Sequence, residues 1–107
     1  MKIEANGRSY VVIVDGKVLD PAPSQAVMNH SPDGFSWGYH GSGPAQLALA
    51  LLLLVAPEPI ALRLYQQFKR DVIANKPMSE SWILDIDVED WISSAIGSKW
   101  KEPTNAT

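Results

Sequence analysis

"HGSGPAQLALALLLLVAPEP", residues 40–59, decides the fold. Residues 44–56 carry no charge, and Gln46 is their single polar side chain. At about 1.5 Å per residue the run reaches about 20 Å, short of a ~30 Å hydrocarbon core. Pro57 and Pro59 then end it. The pattern predicts a helix buried on nearly all sides inside a small protein, not a membrane span. Ser42 or Gly43 reads as its N-cap. Pro44 falls in its first turn, where the missing N–H costs nothing.

A buried helix needs elements to cover it. Upstream, "RSYVVIVDGKVLD" (residues 8–20) gives a β run, an Asp15-Gly16 turn and a second short run, a strong hairpin signal. "PAPS" (21–24) reads as a loop, and "QAVMNH" (25–30) as either a short strand or an irregular connector. "SPDG" (31–34) is a turn. "FSWGY" (35–39) alternates at period two, which predicts a strand with Phe35, Trp37 and Tyr39 on one face. Downstream, Ala61, Leu64 or Tyr65, Phe68, Val72 and Ile73 recur at helical spacing up to Pro77. "SWIL" (81–84) is extended. Asp85 can cap a last helix, "IDVEDWISSAI", that Gly97 stops. The expected architecture is α+β: a small antiparallel N-terminal sheet or hairpin packed with about three helices, one of them (about 44–56) almost fully buried. It forms a single domain over 1–107, with 98–107 as a frayed tail.

Composition narrows the function. The chain has 107 residues, 46% of them hydrophobic, a net charge of −3 and no Cys. Disulfides and thiolate metal sites are excluded. The nine basic residues do not cluster, so duplex nucleic acid is not an expected partner. Glu80, Asp85, Asp87, Glu89 and Asp90 gather late and read as a solvated helix start favoured by the dipole. The N-terminus lacks a signal-peptide pattern, so a cytoplasmic protein is expected, with no membrane association.

Both histidines and four of the seven glycines fall within residues 30–44. A helix N-terminus presents unpaired N–H groups and a positive dipole end, and glycine lets a ligand approach the backbone. "GSGPAQ" would thus hold a phosphate or carboxylate, although it is neither a P-loop nor a dinucleotide fingerprint. The structural alternative is a tight turn into the helix and nothing more. His30 and His40, with Asp33 nearby, do not match a metal-ligand spacing, so no metal or cofactor is expected. A hydrolase triad from Ser31 or Ser42, His30 or His40, and Asp33 is conceivable, but the nucleophile elbow is absent and no catalytic residue is assigned.

"NHSPDGFSWGYHGSGPAQLALALL" (29–52), followed by "ALRLYQQFK" and "WIL", resembles a family of small uncharacterised proteins from bacteria, plasmids and phages, known as a domain of unknown function. The resemblance runs from the Arg8 region to about Ile96. His30, Ser31, Gly34, Trp37, Gly38, Gly41, Ser42, Gly43, Pro44 and Gln46 match its pattern, whereas His40 stands where the family commonly has Gly. It implies no reaction. It does imply a mobile-element context, in which small proteins act as inhibitors of a host factor or as sponges for a nucleotide signal.

The functional expectation is a small non-catalytic binding protein, of phage or mobile-element type, that sequesters a phosphate-bearing nucleotide-type signal in an anti-defence role. Its ligand-binding residues are His30, Ser31, Trp37, Tyr39, Gly41, Ser42, Gly43 and Gln46. Homo-oligomerisation would complete such a pocket. The alternatives are a protein–protein inhibitor or adaptor of a host protein, and a small hydrolase using His30 and Ser42.

Overall fold

Four short strands form one antiparallel sheet: β1 (Lys2–Ala5), β2 (Val12–Val14), β3 (Lys17–Val18) and β4 (Trp82–Asp85). Their order is β3-β2-β1-β4, in a computed structural model that describes residues 1–98. The fold is therefore α+β. Asp15 and Gly16 both take positive φ, 49° and 84°, which is the type I′ geometry a two-residue hairpin requires. Asp15 also accepts the Lys2 N–H, at 2.8 Å, and so ties the turn to the neighbouring strand.

Alternation sorts the two faces of the sheet. Ile3, Ala5, Val12, Val14 and Trp82 point inward and are buried. Ile83 and Val18 lie on the outward rows, exposed. The inward face shares one apolar core with the helices α2 (Ser42–Leu53) and α3 (Glu58–Phe68). α2 is the predicted buried helix: every residue from Gly43 to Leu52 is buried, and α3, the turn after it and α1 (Ala22–Val27) pack around it.

Five local readings change. "PAPS" is not a loop, because α1 starts inside it. Proline suits a first helical turn as well as a loop, and Asp20 accepts the Ala22 N–H at 2.9 Å. "QAVMNH" is the end of α1 and then a connector. "FSWGY" is not a strand: Phe35 and Trp37 are buried as expected, but Gly38 at φ 87° turns the chain and swings Tyr39 outward. After α3 the helix widens into a π-helical turn (Lys69–Ile73), in which the adjacent Val72 and Ile73 are both buried. The last helix, α4 (Val88–Ile96), is capped by Asp87 rather than Asp85, since Asp87 accepts the Asp90 N–H at 2.9 Å and Asp85 belongs to β4. Gly97, at φ 89°, ends α4 as expected. The expected frayed tail lies, apart from Ser98, outside the described residues.

Candidate functional site

The chain enters α2 through a series of tight fits. Ser31 to Gly34 close a turn, with the Gly34 N–H donating to the Ser31 carbonyl at 3.2 Å. Gly38 presses on the backbone of Met78; a Cβ there would lie 2.6 Å from Met78 Cα. That contact and the positive φ leave room only for glycine. Tyr39 then folds back over Gly41, and its hydroxyl meets Ser36 Oγ at 2.7 Å. Gly41, not Ser42 or Gly43 as expected, is the N-cap; it is extended and caps with no side chain. Gly43 sits under Ser36, whose Oγ would be 1.9 Å from an added Cβ.

These fits leave an open cleft of about 460 Å³ at the start of α2. Ser31, Asp33, Ser36, Tyr39, Ser42 and Gly43 form one side of it, and Ser9 and Tyr10 from the β1–β2 loop form the other. Its volume falls in the usual range for small-molecule pockets. Hydroxyls dominate the wall, and Asp33 is the one charged side chain among its described lining residues. Tyr39 is 42% exposed, so part of its ring is free to take a contact. The first intrahelical bond runs from Ala45 N to Gly41 O, at 3.1 Å. The Ser42 and Gly43 amides therefore precede the helical ladder, at its positive end.

The remaining predicted site residues lie elsewhere. Trp37 is 0% exposed: its Nε1 donates to the Glu80 carbonyl at 3.0 Å, and its rings meet Tyr10 and Trp82. It is a core residue and not a stacking platform. Gln46 is also 0% exposed and has no capacity left for a ligand. Its Oε1 accepts the N–H groups of His30 (2.7 Å) and Ser31 (3.0 Å), and its Nε2 donates to Ser24 Oγ (2.9 Å) and the Met28 carbonyl (3.2 Å). One buried amide thus pins the connector after α1 onto α2. His30 turns its ring away from the cleft and pairs Nε2 with the Tyr65 hydroxyl at 2.7 Å. Tyr65 in turn donates to Met28 Sδ at 3.4 Å.

Among the described residues no histidine hydrogen-bonds a serine side chain. No group of three or more His, Asp or Glu gathers among them as metal ligands. No described helix is long and apolar enough to cross a membrane. Ser9, Tyr10, Asp33 and Ser36 are cleft residues that the sequence reading did not assign to the ligand. Ser9 and Tyr10 come from a loop more than twenty positions away, and no local pattern joins them to the glycine turn.

With this geometry in view, comparison with known proteins identifies a family. The model of the family of unknown function DUF6166 matches residues 2–94, and the chain belongs to that family. No curated protein and no solved structure matches the chain.

Proposed function

We propose that this member of the family is a small non-catalytic binding protein whose ligand is a phosphate-bearing molecule of nucleotide type. The observation that carries the reading is the hydroxyl-lined cleft at the N-terminus of α2. The ligand's phosphate meets the Ser42 and Gly43 amides and the Ser42 hydroxyl at the positive helix end. Its sugar hydroxyls donate to the Asp33 carboxylate, and its ring lies against the exposed part of Tyr39. A cytoplasmic, anti-defence role on a mobile element follows from the family context that the sequence suggests.

A thermal-shift screen against linear and cyclic nucleotides, ADP-ribose derivatives and inorganic phosphate tests this. A ligand at about 100 times its Kd adds about 2.7 kcal/mol, a shift of several degrees for a domain of this size. The hit disappears in Ser42→Ala and Asp33→Asn, two exposed positions whose replacement leaves the unliganded melting temperature unchanged. The ligand is recovered chemically intact after heat release. A flat screen, or a hit retained by both variants, contradicts the proposal.

A further inference from the structure

The two edges of the sheet are not equally defended. An open edge presents unpaired N–H and C=O groups, and proteins guard it with shortness, proline, lysine or a bulge. β3 is two residues long, and Pro21 follows it closely. β4 has four residues, "WILD", with none of these guards. Its hydrogen-bonding parity is set by Met1 and Ile86, which exchange both backbone bonds at 2.9 Å. Alternation then directs Trp82 and Leu84 toward β1, paired with Ala5 and Ile3, and turns the N–H and C=O of Ile83 and Asp85 to the open side. Ile83 is 67% exposed. It ends an outward row that crosses the sheet in register: Val18, Ile13, Glu4, Ile83. Asp85, the only charge on β4, lies 3.7 Å from the Met1 ammonium of its own chain, so its charge is already answered.

We propose that the open edge of β4 is the contact between two copies of this chain, paired antiparallel about a two-fold axis through Ile83. A strand laid antiparallel on itself is self-complementary in donors and acceptors, as a two-fold contact requires. Charge selects the register. Centring on Asp85 opposes two carboxylates, and centring on Leu84 sets Ile83 against the partner's Asp85. Centring on Ile83 places Ile83 on the partner's Ile83 and Asp85 on the partner's Ser81. It also carries the outward row from one sheet into the next.

Light scattering on the full chain in solution tests the contact. The expected mass is twice 11.7 kDa for the wild type and for Val18→Lys, and 11.7 kDa for Ile83→Lys with an unchanged circular dichroism spectrum. The chain has no Cys, so a short bismaleimide reads the register independently of that variant. It cross-links Ile83→Cys efficiently and leaves Val18→Cys uncross-linked. A monomeric wild type, a dimer that persists in Ile83→Lys, or faster cross-linking through position 18 overturns the proposal.

Discussion

Gln46 interrupts an otherwise apolar helix because a single amide there satisfies four groups from α1 and the connector behind it. An apolar replacement of similar size would leave all four without this partner, the Ser24 hydroxyl buried and the other three partly buried. Gln46→Leu is therefore expected to cost about 3 kcal/mol or more, read from the urea midpoint at unchanged slope. A cost under about 1 kcal/mol would mean that water or rearrangement replaces the amide. The glycines divide just as sharply. Gly34 and Gly38 both have positive φ, but an added Cβ meets nothing at Gly34 and the Met78 backbone at Gly38. Gly34→Ala should cost about 1 kcal/mol of backbone strain. Gly38→Ala adds a backbone clash and should cost about 3 kcal/mol or prevent folding. From sequence Gln46 looked like a ligand contact, whereas Gly34 read as a turn residue and Gly38 only as a match to the family pattern. Glycine and glutamine serve packing and binding equally well, and only their neighbours tell the two apart.

Among the elements, those with a strong local signal were legible. The Asp15–Gly16 hairpin, the uncharged helix and the amphipathic helix after it follow from turn chemistry and periodicity alone, and the burial of Ala61, Leu64, Phe68, Val72 and Ile73 matches the spacing. "FSWGY" shows the limit of that logic. Its alternation buries Phe35 and Trp37, yet no neighbouring strand pairs with it, so the pattern records burial without a ladder. β1 has little intrinsic β character and becomes a strand because β2 and β4 flank it. A contrast within α2 checks its role as the central pillar. Leu51 is fully buried and Leu54, just past the helix, is half exposed. Leu51→Ala should lower stability by about 2–5 kcal/mol and Leu54→Ala by less than about 1 kcal/mol. Equal losses would show that α2 is not covered as described.

At the scale of the whole molecule, long-range closure makes both the sheet and the cleft. β4 joins β1 across some eighty residues, and the β1–β2 loop brings Ser9 and Tyr10 to the mouth of α2. Neither juxtaposition leaves a trace in a short window of sequence. That is why only one wall of the site was legible. The central claim is that the cleft at the start of α2, rather than the sheet edge, is where a small molecule binds. The most direct test is a titration of isotope-labelled protein with a nucleoside monophosphate, followed by amide chemical shifts. The account expects the largest changes at Asp33, Gly34, Ser36, Ser42 and Gly43, with β3 and β4 unmoved. Shifts confined to the sheet edges, or none at saturating ligand, would contradict it.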